Sequence, residues 1–134
     1  MSMDVIITKI TKNVDESVRK LTLDLDKGIV MSTPVGDPTY WKRPPPPGYV
    51  GGRARGNWQP SVGEPITTEI DRIDASGNDV MADIERVVPK KAGSVVWLCN
   101  NVDYIQELEK GYSKRQAPQG MVRLNFQRIT SVFK

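Results

Sequence analysis

Apolar residues recur near the start of the chain at Ile10, Val14, Val18, Leu21 and Leu25, in steps of four, four, three and four. That spacing lays one apolar stripe along a helix over residues 6–31. Lys9, Lys12, Asp15, Glu16, Arg19, Lys20, Asp24 and Lys27 fill its other faces. Gly28 weakens the last turn and Thr33-Pro34 ends it, because proline has no N–H for the helix ladder. The expectation is a helix packed by one face on a sheet. An amphipathic helix that binds a partner is the alternative.

Beyond residue 57 the period shortens. Trp58 and Val62 alternate with polar neighbours and predict a short strand, which Pro60 places near an edge. Ile66, Thr68 and Ile70 share one side of a second candidate strand over residues 66–73. Asp74-Ala75-Ser76-Gly77-Asn78 reads as a turn. Residues 79–88 predict a helix with Val80, Met81, Ile84, Val87 and Val88 inward, stopped by Pro89. Residues 94–99 are β-branched and aromatic and apolar on both faces, the pattern of a central strand. Asp103 is placed to cap a short helix over residues 104–110, with Ile105 and Leu108 inward. Gly111 is placed to end it in a left-handed turn, and Pro118 and Gly120 bracket a bend. In residues 121–133, Val122, Phe126, Ile129 and Phe133 fall at helical spacing, while Val122, Leu124 and Phe126 also alternate. A helix is preferred over a strand that becomes one. The sum is an α+β fold: a small mixed sheet packed by a long N-terminal helix and shorter helices.

Residues 34–56 break the pattern. They hold Pro34, Pro38, Pro44, Pro45, Pro46 and Pro47, with Gly36, Gly48, Gly51, Gly52 and Gly56. No regular structure is expected there, and the four consecutive prolines favour an extended polyproline conformation. Tyr40, Trp41 and Tyr49 are aromatic anchors within it. A loop of this length in a compact domain has a use, and we expect it to order in an assembly. Two narrower readings are weaker. The prolines could serve an aromatic-grooved peptide-binding domain, though stiff spacers of this kind are commoner. Gly51-Gly52-Arg53-Ala54-Arg55-Gly56 could bind RNA, but one copy is too little. No Gly-Lys-Ser/Thr follows the glycines, so no Walker pattern is formed.

Composition narrows the chemistry. With 134 residues, 38% of them hydrophobic, the chain fits one domain, residues 1–134, with one modest core. No apolar run approaches the ~20 residues of a bilayer span, so no membrane partner is expected. Met1-Ser2-Met3-Asp4 opens with an acid rather than a basic region, so no secretory signal is expected. There is no histidine, which removes the usual general base and the commonest metal ligand. No acid pair stands out, and the expectation is no catalytic, metal or cofactor site. The single cysteine, Cys99, suits synthesis in a reducing cytoplasm and is expected to be buried. A net charge of +3 and a pI near 9.1 are mildly basic, but cations and acids alternate along most of the chain.

Three blocks then stand in order. The first is Met31-Ser32-Thr33-Pro34-Val35-Gly36. The second is Gly51-Gly52-Arg53-Ala54-Arg55-Gly56-Asn57-Trp58-Gln59. The third runs from Trp97 through Asn100-Asn101, Tyr104, Leu108-Glu109 and Gly111-Tyr112-Ser113 to Gln116-Ala117-Pro118-Gln119-Gly120-Met121-Val122. In this order they resemble the minor tail, or neck, protein family of long-tailed bacteriophages, the tail-completion and head–tail joining proteins. The third block is the most specific, and the likeness covers nearly the whole chain. The Pro-rich stretch of residues 38–49 departs from it, since shorter links also fit the family pattern.

The resemblance implies a structural virion protein, with no enzymatic role, made in the host bacterial cytoplasm and located in the neck. It implies a tail-terminator-like fold assembled as a homo-oligomeric ring, with six-fold symmetry favoured. The implied partners are the tail tube or tail-terminator protein and the head-completion or connector protein, with passive contact to genomic DNA in the channel. The arm of residues 34–57 would reach a neighbour. Tyr40, Trp41 and Tyr49 would anchor it and Arg53 and Arg55 supply charge, since aromatic residues and arginine dominate interface hot spots. Trp58, Tyr112, Lys114 and Arg115 complete the candidate interface. The plainer alternative is that Trp58 and the two arginines fold the loop onto its own domain. A small nucleic-acid-binding protein using the Gly-Arg loop is the rival from another class.

Overall fold

The computed structural model describes residues 2–36, 44, 47, 51–111, 113 and 116–131. Among these, the elements in order are α1 (Met3–Ser32), α2 (Arg53–Gly56), β1 (Gln59–Val62), α3 (Asn78–Val87), β2 (Val96–Cys99), α4 (Ile105–Glu109) and α5 (Val122–Ser131). The α+β expectation is met, with helices packed about a small sheet. No helix among the described residues is long and apolar enough to cross a membrane.

Helix α1 starts where Ser2 caps it, the Val5 N–H donating to Ser2 Oγ at 3.4 Å, and Asp4 suits the positive end of the helix dipole. It ends where Thr33 turns extended ahead of Pro34. Its packing differs from expectation. Of the stripe Ile10, Val14, Val18, Leu21 and Leu25, only Leu25 packs on the core, and the other four are exposed. The buried positions are Asp26, Ile29 and Val30. Every residue from Ser2 to Val14 is exposed, so the first dozen residues of α1 project roughly 18 Å beyond the body. Periodicity identified the apolar face but could not tell how far along the helix the body extends.

The sheet also differs. Strands β1 and β2 pair antiparallel, from Gln59 opposite Cys99 to Val62 opposite Val96. No third strand joins them among the described residues, so the sheet is not mixed and β2 is not central. Val95 and Trp97 are exposed, and Cys99 is half-buried rather than buried. Residues 66–73 form no strand because side chains take their backbone groups. The Ile70 N–H donates to Asn57 Oδ1 at 2.8 Å, Gln59 Nε2 donates to the Thr68 carbonyl at 2.7 Å, and Asn101 Nδ2 donates to the Ile66 carbonyl at 3.0 Å. The edge placement of Pro60 holds. Gly63 N–H donates to the Val95 carbonyl, which makes residues 61 and 59 the next hydrogen-bonded positions of β1. The missing N–H of Pro60 therefore faces away from β2.

The core gathers Ile29 and Val30 of α1, Trp58, Val80 and Ile84 of α3, Val88, Ala117 and Met121. Helix α3 follows its predicted bounds within a residue, with Met81 and Val87 half-buried. The final segment is helical, as preferred, and Ile129 is buried. Its inward polar residue is Asn125, whose Nδ2 donates to the Met121 carbonyl at 2.8 Å and Ser32 Oγ at 2.9 Å. Phe133 lies outside the described residues. Asp103 does not cap α4, whose N-cap residue is Tyr104, with no side-chain cap bond. Gly111 does take the left-handed conformation expected of it, at φ 91°.

Candidate functional site

The three sequence blocks meet in space at the C-terminal end of α1. The second block contains a helical turn, α2, where no regular structure was expected. Gly52 makes the turn possible: its φ is 116°, and a Cβ there would lie 2.5 Å from the Ala75 nitrogen. Gly56 is held as closely, since a Cβ would meet the Arg72 carbonyl oxygen at 2.5 Å. These contacts seat α2 against residues 72–75, where the Asp74 N–H donates to the Gly52 carbonyl at 3.1 Å.

Arg55 extends from α2 under the end of α1. Its Nη2 donates to the Thr33 and Met31 carbonyls at 2.8 and 3.1 Å, its Nε to Thr33 at 3.2 Å, and its Nη1 to the Ala75 carbonyl at 2.6 Å. A cation here satisfies carbonyls that the end of α1 leaves open. Burial pushes its guanidinium pKa down from the ordinary value, against the pull of Asp74. Trp58 is buried beside it, and its Nε1 donates to Thr33 Oγ1 at 2.7 Å. The Thr33 hydroxyl passes the chain on to the Ile29 carbonyl at 2.8 Å. Arg72 straps the same turn through the Gly56 and Trp58 carbonyls, at 2.7 and 3.1 Å, and pairs with Asp83 at 2.6 Å.

The third block closes the knot. Asn100 Nδ2 donates to the Ala54 carbonyl at 2.7 Å. Gln116 makes two bonds with Val35, its Oε1 accepting from the N–H and its Nε2 donating to the carbonyl, both at 2.8 Å. Glu109 accepts from the N–H groups of Met121, Val122 and Arg123, each at 2.9 Å, and so caps α5. Burial raises the Glu109 pKa, but these three bonds and the Arg123 charge bring it below the ordinary value overall.

Of the candidate interface residues, the structure brings together Arg55 and Trp58, with Arg53 on the same turn. Arg53 faces outward and pairs with Glu69 at 3.1 Å and Asp71 at 3.5 Å. All three make their interactions within their own chain. Tyr40, Trp41, Tyr49, Tyr112, Lys114 and Arg115 lie outside the described residues. Sequence reasoning missed Asp74 and Glu109. Asp74 carried a local signal, since an acid two residues before Ser76-Gly77 favours an Asx turn; its carboxylate accepts from the Gly77 and Val80 N–H groups at 3.1 and 3.0 Å. Glu109 caps a helix that starts 13 residues later, a relation with no local signature.

A second feature lies along the middle of α1. Val18, Leu21 and Leu25 of α1, Val88 and Val96, and Ile129 of α5 line a largely apolar groove of about 410 Å³. One wall is fixed by Asp15, whose Oδ1 accepts from the Ala92 N–H at 2.8 Å. Two polar atoms along this groove, Asp26 Oδ2 and Arg19 Nε, are buried with no hydrogen-bond partner. Burial pushes the Asp26 carboxyl up from 3.8 to about 6.

Among the described residues no group of three acids or cysteines is gathered to hold a metal ion. The chemistry of the knot is hydrogen bonding that sets the fold. Replacing Arg55 by alanine is expected to cost about 2–3 kcal/mol, because bonds to a charged group leave several carbonyls unsatisfied when lost. Arg55→Lys should recover only part of this, since one ammonium cannot span the three carbonyls. Urea denaturation measures both; full recovery by lysine would show that charge, not the guanidinium fork, is what matters.

Compared with family models, with curated proteins and with solved structures, the chain finds no match.

Proposed function

We propose that this chain is a structural protein of the neck of a long-tailed phage, forming a ring that completes the tail and joins it to the head connector around a channel for DNA. The reading rests on the ordered resemblance of the three blocks. One observation supports it: Thr33 and Val35, Arg55 and Trp58, and Asn100 and Gln116 bond to one another across the three blocks. The residues that carry the resemblance thus share one set of hydrogen bonds in this chain. The tail-terminator-like fold, the virion location, the six-fold ring, its tail and connector partners and the absence of catalysis all belong to this proposal. The rival nucleic-acid reading relies on Arg53 and Arg55, which are occupied by acids and carbonyls of their own chain.

The test is to add purified protein to tails and heads that lack it and to count joined particles. Restored joining is expected; tails left unjoined at saturating protein would remove the neck reading. A variant lacking residues 44–47 is expected to restore at least tenfold fewer joined particles, because it shortens the arm offered to a neighbour. Joining at the full level by that variant would sink the arm's part in assembly and leave the neck reading in place.

A further inference from the structure

The two edges of the small sheet are unlike. Gln59 and Ser61 of β1 are the hydrogen-bonded partners of Cys99 and Trp97, so the backbone groups of Val96 and Leu98 point away from β1. Among the described residues no backbone or side-chain group bonds to them there, and no third strand covers them. The free edge of β2 therefore presents a row of open N–H and C=O groups. Natural sheets blunt such an edge with proline, charge or a covering element, because an open edge is a template for another strand. The outer edge of β1 carries Pro60. The edge of β2 has no such device, since residues 94–99 read Ser-Val-Val-Trp-Leu-Cys, without proline or charge. Its solvent face is apolar as well, with Val95 60% and Trp97 39% exposed and Cys99 half-buried beside them.

We propose that the free edge of β2 pairs antiparallel with the same edge of a second copy, centred on Trp97, to make one four-stranded sheet across a two-fold axis. The register follows from the edge itself. Within β2 only Val96 and Leu98 offer outward groups, and an antiparallel pair uses all of them when Val96 of one copy faces Leu98 of the other. Trp97 then lies opposite Trp97 of the second copy, and Val95 opposite its Cys99, all on the solvent face. Directly opposed side chains there stand ~4.5–5.5 Å apart at Cβ, so the exposed apolar residues of both copies cover one another. Charge at the two ends of the strand selects a second copy as the occupant. Lys90 and Lys91 precede β2 and Asp103 follows it. All three are exposed, and none makes an ion pair among the described residues. Lys91 stands six residues before Trp97 and Asp103 six residues after it. An antiparallel pair centred on Trp97 brings the cationic end of each copy to the acidic end of the other, twice in one dimer, whereas a parallel pair brings like ends together. The strand between them is uncharged, so no like charges meet across the axis. This contact is isologous and closes at two copies, which makes it a different contact from the head-to-tail one of a ring, and it stands apart from the neck reading.

Opposed charges on the two-fold axis test it. Trp97→Lys sets lysine against lysine and Trp97→Glu sets glutamate against glutamate, while a mixture of the two sets one against the other. Sedimentation velocity at ~200 μM chain, a concentration that populates a contact at the small end of the interface range, reads the mass. The wild type is expected to dimerise, each variant alone to associate about tenfold more weakly or worse, and the equimolar mixture to associate about tenfold more tightly than either variant alone. Circular dichroism confirms that both variants keep their helices. A second variant keeps Trp97 and reads the register directly. In Val95→Cys the new thiol lies opposite Cys99 of the second copy, in a pair whose Cα atoms are ~4.5 Å apart and within disulfide reach. Cys99 of its own chain is four residues further along the strand, about 13 Å away and out of reach. Oxidation with diamide is expected to link Val95→Cys into a covalent dimer and to leave the wild type, whose single cysteine is Cys99, unlinked. A monomeric wild type, a charge variant that associates like wild type, a mixture no tighter than its components, or a Val95→Cys chain that stays unlinked would overturn the pairing.

Discussion

Trp58→Ala is expected to lower the unfolding free energy by about 3–5 kcal/mol, read as a fall in the urea midpoint at an unchanged slope. Trp58 is 5% exposed and packs in the core with Val30, Val80 and Met121. Its removal opens a large cavity where the second block meets α1. It also takes away the donor to Thr33 Oγ1, which accepts from Trp58 Nε1 at 2.7 Å, and leaves that hydroxyl only its bond to the Ile29 carbonyl. The loss is a sizeable share of the ~5–15 kcal/mol that holds a domain together, so the alanine variant is expected to be partly unfolded at 37 °C. Trp58→Phe separates the two contributions: it keeps most of the apolar volume, forfeits the indole N–H, and should cost about 1–2 kcal/mol. An alanine variant within about 1 kcal/mol of wild type would mean that Trp58 is not a keystone of the knot.

Elements with strong local signals were legible in the chain. Helix α3 announced itself through Val80 and Ile84 with Pro89 as a stop, and the end of α4 through Gly111, because these depend on residues within a turn or two of one another. What depends on distant partners was not. Residues 66–73 carry alternation enough for a strand, yet Asn57, Gln59 and Asn101 bond to their backbone and leave them unpaired. β2 has the apolar character of a central strand but sits at an edge, because no third strand arrives among the described residues. At the candidate site, Arg53, Arg55 and Trp58 stood out as arginines and an aromatic residue in a Gly-rich frame. Their partners are the Thr33 hydroxyl, the Met31, Thr33 and Ala75 carbonyls and two acids. A carbonyl is common to every residue, so no sequence pattern points to it.

Asp26→Asn is expected to stabilise the fold at neutral pH, by up to about 3 kcal/mol, and to do so only above a defined pH. Burial raises the Asp26 carboxyl from 3.8 to about 6, so the folded chain holds the proton more tightly than the unfolded one. The favourable contribution of this group is therefore complete below pH 3.8. It is lost as pH rises through about 6, where the buried side chain must ionise. Asparagine carries no charge, so the variant should gain over wild type at pH 7.5 and show little gain at pH 4. Asp83, Glu85 and Glu109 have depressed pKa values and lose stability in the opposite direction, on acidification, but they do so equally in both proteins and cancel in the difference. Urea titrations of the pair at the two pH values measure it. An equal difference at both would mean that Asp26 does not ionise in the folded chain over this range.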